Sequence, residues 1–493
     1  MFTSRRATMR PLPCLAATVL AIALAVVPVV AQSPPTVVAG APTAALGPRL
    51  DTNAASAGGA SAASQPTAAA FLDQLVRDAI ARNLMLAQRD LSARQAGSAV
   101  RQARGVLLPT LAVDARYSEF SGVVNIGDFI NPAYAALNQL IGQDAFPTNV
   151  SATLPFRQDT RLRSTQLLYN PAAIAQWRLA RTLHGVAESQ RQQAARELAA
   201  DVQLAWLGYA GATRVVDVYT AALEVTTENV RVAERLVAND LGTVDAVHRA
   251  RADQADVAQQ LADAERQRDA ARRVLNLMLD RELDTPVPVL DDSTLVAPIP
   301  EAVEPLARAA LGRREELQQA ALGLEAAARQ RRLADGTFHP TLAFAAEWGI
   351  QGDRYRFDGS GNVALASVVL QWNLLNGGQD AARREQATLE QRKAALRQRD
   401  AERQVMLHVE QAWDAAQVAR TALTTSATRL EAASRAFTLV ARRYDEGLAP
   451  HVEFVAARAA YTQAELGAVL ARFTYAARRV DLERAAALRA LTP

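Results

Sequence analysis

This sequence predicts a mainly α fold with a small β part, built twice on one plan. Three observations carry that expectation. Long runs rich in Ala, Arg, Gln and Glu keep apolar residues at three- and four-residue spacing without proline. A short stretch with alternating apolar and polar residues precedes each of the longest runs. The whole order then recurs in the second half of the chain.

Composition narrows the class. Aromatic residues are only 5% of the chain, and abundant Ala, Arg, Glu and Leu is the profile of long helices. The formal net charge of +3 supplies no basic field for nucleic acid. The N-terminus reads as a secretory signal over residues 1–31, with Arg5, Arg6 and Arg10 ahead of an apolar stretch from Leu12 to Val30. The single cysteine, Cys14, lies inside it, so the processed chain is expected to lack thiol chemistry. No later apolar run reaches the ~18 residues of a spanning helix, whereas a barrel strand needs only ~9–11.

Residues 32–70 are Ala, Pro, Ser, Thr and Gly without periodicity and read as a disordered leader. The first repeat is placed at 71–285. Phe71 to about Arg104 is helical, with Leu72, Leu75, Val76, Ala79 and Ile80 on one face. Pro109 to Tyr117 alternates Leu111, Val113, Ala115 and Tyr117 against Ala112, Asp114 and Arg116, a strand with one apolar face. Residues 119–158 carry Gly, Asn and Pro and read as a loop. Asp159 to Tyr169 is a second strand. Asn170-Pro171 then starts a helix, because Asn caps and Pro suits the first helical position. That helix runs to Asn239-Asp240-Leu241-Gly242, and a second returns from about Val244 to Leu279.

A proline-rich connector follows at 286–301, and the second repeat fills 302–493. It holds a helix from Ala302 to Ala334, strands from Pro340 to Trp348 and from Val363 to Leu374, a break at Asn376-Gly377-Gly378, a long helix from Gln379 to Glu446 and its return. The repeat is legible residue by residue. Pro109-Thr110-Leu111 matches Pro340-Thr341-Leu342, and Val202 to Trp206 matches Val409 to Trp413.

Four two-faced strands cannot close a barrel alone, and an open edge cannot sit in lipid. A long helix with an Ala-rich seam cannot bury itself alone either. Self-association in a ring answers both. Tyr117, Tyr169, Trp348 and Trp372 fall near strand ends, where interfacial aromatic belts sit.

The duplicated Pro-Thr-Leu strand starts, the junction Leu374-Leu375-Asn376-Gly377-Gly378 and the helix tip Tyr444-x-x-Gly447-Leu448 together resemble the TolC-like outer membrane efflux proteins. Asn83-Leu-x-Leu86 and Arg313-Arg-Glu-Glu-Leu317 fit as well, although the family often has Pro where Arg314 stands. The likeness covers about Phe71 to Leu491. It implies a homotrimer with a β-barrel in outer membrane lipid and an α-barrel reaching through the periplasm. It also implies a periplasmic adaptor and an inner membrane pump as partners, with the chain as passive exit duct of a tripartite efflux system. The outer membrane duct of type I protein secretion is the alternative, and a poreless periplasmic scaffold a more remote one.

A duct needs a gate and docking surfaces rather than a nucleophile. The family resemblance puts a pore-lining acidic position six residues past each tip glycine, here Glu453 and His248. Three Glu453 carboxylates would then ring the pore and attract cations, with His248 making the ring pH-sensitive. The best-known family lock ties a Tyr to an Asp and an Arg. Tyr444 fits the Tyr, but His248 and Ala449 stand at the other two positions. Arg442, Arg443, Asp445 or Glu446 could substitute, and the sequence does not choose among them. Adaptor docking would use Leu241, Gly242, Thr243, Gly447, Leu448 and Ala449. The five histidines show no metal-ligand spacing, and no phosphate loop or nucleophile elbow is present. No catalytic residue, cofactor or metal is expected.

Overall fold

A computed structural model describes residues 68–119, 125–151, 157–240, 242–290, 295–352, 355, 359, 361–446 and 448–489. The signal segment lies outside the described residues, as does nearly all of the leader, whose last residues open the first helix. In chain order the elements are α1 (Ala68–Arg82), α2 (Leu84–Gly105), β1 (Thr110–Tyr117), α3 (Gly127–Ile141), β2 (Gln158–Tyr169), α4 (Pro171–Ala238) and α5 (Val244–Met278). The second half supplies α6 (Glu304–Arg313), α7 (Glu315–Asp335), β3 (Thr341–Gly352), β4 (Asn362–Gln371), α8 (Gln379–Asp445) and α9 (His451–Ala485). The order of helix pair, strand, strand, long helix and return helix thus occurs twice, with α3 as an insert in the first half.

The two long helices have 68 and 67 residues, about 100 Å each at ~1.5 Å per residue. Their starts differ chemically. At α4 the Asn170 side chain accepts from the Ala173 amide at 2.9 Å, with Pro171 at the first turn. At α8, Gly377 and Gly378 take φ of +66° and +82°, a left-handed path that side chains resist. Asn376 and Asn373 meanwhile donate to Asp380 in the first turn, at 2.6 and 3.2 Å.

Four sequence expectations need correction. The helix expected from Phe71 to Arg104 breaks at Asn83, whose side chain caps α2 by accepting from Met85 and Leu86 amides at 3.0 and 3.1 Å. Arg314 makes the same break between α6 and α7, with φ −67° and ψ 127°, a conformation that proline also adopts. The loop at 119–158 holds α3. Its Asn131 and Asn138 each exchange a pair of hydrogen bonds with the returning backbone at Val150 and Phe146, between 2.7 and 2.9 Å, and Tyr134 stacks on Phe146. β4 also ends at Gln371, so Trp372 falls just past it and donates its indole N–H to the Phe338 carbonyl at 3.1 Å.

The strands form one antiparallel sheet in the order β1-β2-β3-β4, and among the described residues neither β1 nor β4 has a second partner. Register sorts its side chains into two faces. Val113, Leu162, Trp348 and Ala364 lie in one row; Phe344 and Val368 pair in another. This apolar face is open in the single chain, with Val113 70% exposed. The opposite face carries Asp114, Arg161, Arg163 and Glu347. Glu347 accepts from Arg161 at 2.9 Å and Arg163 at 2.8 Å, and Arg163 reaches Asp114 at 3.4 Å. Such cross-strand pairs fix register, since a one-residue slip would turn every charge to the other face.

The largest core lies midway along the long helices. There Leu72, Leu75, Val76 and Ala79 of α1 pack on Leu198, Val202 and Trp206 of α4, with Leu275, Leu279 and Val287. A second core joins Leu306 and Ala310 of α6 to Val405, Val409 and Ala416 of α8 and Leu482 of α9. The connector is tied to both. Trp206 donates to the Pro288 carbonyl (3.4 Å) and Tyr209 to that of Val287 (3.1 Å). Trp413 donates to Pro300 (3.1 Å) and Tyr475 to Ala297 (2.7 Å). The two tryptophans hold equivalent repeat positions.

Candidate functional site

The helix tips opposite the sheet hold the candidate gate. The first tip ends α4 at Ala238, Asp240 turns the chain with φ +54°, and α5 starts after Thr243. Ala233, Val247 and Ala250 form a small core beneath it. The second tip is better packed: Phe437, Phe454 and Ala459 are buried, with Tyr444 and Tyr461 against them. Tyr444 stacks on Phe454 with ring centroids 4.5 Å apart and meets His451 at 5.9 Å.

Glu453 does not stand as an isolated carboxylate. It accepts from the Arg443 guanidinium at 3.1 Å, and Arg443 also reaches the Leu448 carbonyl at 3.5 Å. The Glu453 carboxylate is therefore paired with a cation of its own chain. His248 is exposed on α5, and no hydrogen bond or ion pair among the described residues joins it to Glu453. Asp445 closes α8, but its side chain lies outside the described residues, as do Leu241 and Gly447. Of the remaining docking candidates, Gly242 and Thr243 are exposed and Leu448 is 66% exposed. Ala449 is 8% exposed and packs inside the tip.

The structure adds a cluster that the sequence did not single out. Arg458 of α9 is 0% exposed and its guanidinium donates to Asp253 of α5, so one ion pair joins the two hairpins. Nε and Nη1 of Arg458 have no hydrogen-bond partner among the described residues. Burial pulls its pKa down and Asp253 opposes this. One face over, His451 of α9 lies 3.4 Å from the Asn229 side chain of α4. Burial first, then the Arg458 cation, hold His451 below its ordinary value; Asp253 raises it and Arg249 lowers it further.

The sign of the resulting pH effect follows. A histidine with a depressed folded value favours the packed tip while neutral. The tip is most stable above the ordinary value of about 6.5 and loses stability as pH falls below it, until the depressed value is passed. Amide exchange over α9's first turns, corrected for intrinsic rates, should therefore be faster at pH 5.5 than at 7.5. His451→Gln should flatten the difference; a difference that survives the substitution assigns it to another group.

The helix–strand junctions fall at Asn170-Pro171 and Asn376-Gly377-Gly378. Tyr117 pairs with Gln158 at the loop end of the sheet, and a bulge brings Tyr169 opposite Leu342 at the helix end. Among the described residues no cluster of His, Cys, Asp or Glu could hold a metal ion, and no helix is long and apolar enough to cross a membrane.

Residues 306–488 match the family model described as outer membrane efflux protein. The chain is similar to the outer membrane protein VceC of Vibrio cholerae at 19% identity and a TM-score of 0.69, over 85% of this chain and 96% of that one. It is similar to the open state of the MtrE outer membrane channel of Neisseria gonorrhoeae at 20% identity and 0.70, over 84% and 88%. The CmeC outer membrane channel of Campylobacter jejuni matches at 14% identity and 0.71, over 90% and 94%. No curated protein sequence matches the chain. The fold is thus one that outer membrane channels use, and the family match falls on the second repeat. Residues 306–488 thus carry the match to the outer membrane efflux proteins, and the chain as a whole shares the fold of these channels.

Proposed function

We propose that three copies of this chain form the exit duct of a tripartite efflux system, moving small molecules to the outside through the outer membrane. The observation that carries this reading is the sheet: one apolar face, one charged face and two unpaired edges, continuous with helices about 100 Å long. Edges of this kind are tolerated in lipid only when a barrel closes them. Three sheets side by side close it, with the apolar faces to lipid and the Arg161–Glu347 lattice to the lumen. From Gln158 to Tyr169 the strand covers about 36 Å, or about 28 Å of height at a tilt of ~40°. That suits aromatic belts at Tyr117 and Trp348 on one side and Tyr169 and Trp372 on the other. A poreless scaffold would leave the apolar face without a purpose.

In this reading the tips gate the duct from the periplasm. Arg443, Tyr444 and Glu453 shape the constriction, Asp445 and His248 flank it, and the Arg458–Asp253 pair locks one hairpin to the other. Gly242, Thr243 and Leu448 face a periplasmic adaptor, which an inner membrane pump loads; Leu241 and Gly447 belong to the same docking surface. A type I secretion duct would use the same channel, and the pump decides the cargo.

Single-channel conductance in a planar bilayer tests this. The wild-type protein should give a small conductance. Glu453→Gln frees Arg443, so its pore should shift toward anions, with the reversal potential in a salt gradient moving by several millivolts or more. An unchanged reversal potential would remove Glu453 from the constriction. A water-soluble oligomer with no conductance would overturn the duct.

A further inference from the structure

The foot of the apolar sheet face carries a pocket that the duct reading leaves unused. Gly336, at the end of α7, lies so close to the start of α4 that an added Cβ would sit 2.9 Å from the Ala172 backbone nitrogen. Just beside this contact the α4–α7 seam opens into a pocket of about 350 Å³, lined by Tyr169, Ile174, Arg178, Arg332 and His339 among others. Tyr169 and Ile174 give it an apolar lip continuous with the sheet row at Leu342.

Its charges are unbalanced. Arg329 is taken by Glu325 at 2.8 Å, and the one acid in the wall, Asp335, is taken by Arg384 at 2.7 Å. Arg178 and Arg332 are exposed and make no ion pair among the described residues. Arg178 lies about 10 Å below Pro171 along α4, at ~1.5 Å per residue. The headgroup layer on one side of a bilayer is ~5–8 Å deep. A long Arg side chain that snorkels upward covers that distance. Guanidinium pairs match phosphate oxygens in a bidentate fork.

We propose that Arg178 and Arg332 hold the phosphate of an anionic phospholipid in the membrane leaflet nearest the helices, with its acyl chains against Tyr169 and the apolar sheet face. This rests on the outer membrane reading above. The bound lipid would fix the depth of the barrel and brace the joint between β2 and α4.

The test uses the full-length protein in detergent, titrated with phosphatidylglycerol, with phosphatidylcholine and with inorganic phosphate, and read by native mass spectrometry and thermal unfolding. Phosphatidylglycerol should bind at least fivefold more tightly than phosphatidylcholine and raise the unfolding temperature, while inorganic phosphate at equal concentration does neither. Arg178→Gln with Arg332→Gln should abolish the preference, and Arg178→Lys with Arg332→Lys should keep part of it. Equal binding of both lipids by the wild-type protein overturns the proposal without any variant. Full competition by inorganic phosphate also overturns it, in favour of a free-anion site. Conductance measured on the same samples separates the two readings: a conducting wild type with no lipid preference sinks only the lipid site, and a non-conducting one sinks the duct.

Discussion

Asp253→Asn is expected to loosen the helix tips more than any other single polar substitution. Arg458 has no exposure to water, and Asp253 is the carboxylate facing it. Neutralising that carboxylate leaves a buried guanidinium without a counter-charge, which costs about 3–5 kcal/mol in comparable settings. The cost falls on the contact between α5 and α9, so the response is local opening rather than global unfolding. Amide exchange in the first turns of α9 should accelerate by at least about a hundredfold, since each 1.4 kcal/mol is a factor of ten. If the tips gate a pore, mean conductance should rise with it. Adding Arg458→Met removes the stranded charge and should restore most of the protection. Exchange within threefold of wild type in Asp253→Asn alone would mean that the pair does not hold the hairpins together.

Trp206→Ala is the second large effect. The indole is 0% exposed, lies 6.2 Å from the Phe71 ring, and packs where α1, α4 and the connector meet. Truncation leaves a cavity of nearly a whole indole and frees the Pro288 carbonyl, for about 3–5 kcal/mol. The duplication supplies an internal control. Trp413 makes the equivalent hydrogen bond to Pro300 but is only partly buried. Trp413→Ala should therefore lower the unfolding temperature in detergent by clearly less than Trp206→Ala. Equal drops would mean that the connector bond, not the buried ring, sets the stability.

The contrast between these residues marks what a sequence can disclose. The strands were legible because their faces alternate: Leu111, Val113 and Tyr117 announce one side whatever the partner strand. The long helices were legible because proline is missing for over a hundred residues, from Pro171 to Pro286. α3 was hidden by its own Gly, Asn and Pro, which read as breakers. A usable signal was present, since Asn131 and Asn138 stand two turns apart on one face and both grip the returning chain. Arg458 left no such trace. It sits in an Arg-rich helix, and only the approach of Asp253, 205 residues earlier, takes it out of water. Likewise Glu453 could be placed at the tip from the sequence, but not beside Arg443, because that contact depends on how the turn closes.

The charged face of the sheet has a consequence for ancestry. Aligning Pro109 with Pro340 sets Arg116 of the first half against Glu347 of the second, and Tyr117 against Trp348. The aromatic position survived duplication, whereas the charge reversed. Glu347 now answers Arg161 and Arg163, which belong to the other half. Copies of the first half alone would keep the Arg163–Asp114 pair but lose the Glu347 contacts, which only the second half supplies. Two of the sheet's ion pairs therefore tie one half of the chain to the other, and separating the halves would leave the Glu347 carboxylate without its two arginines.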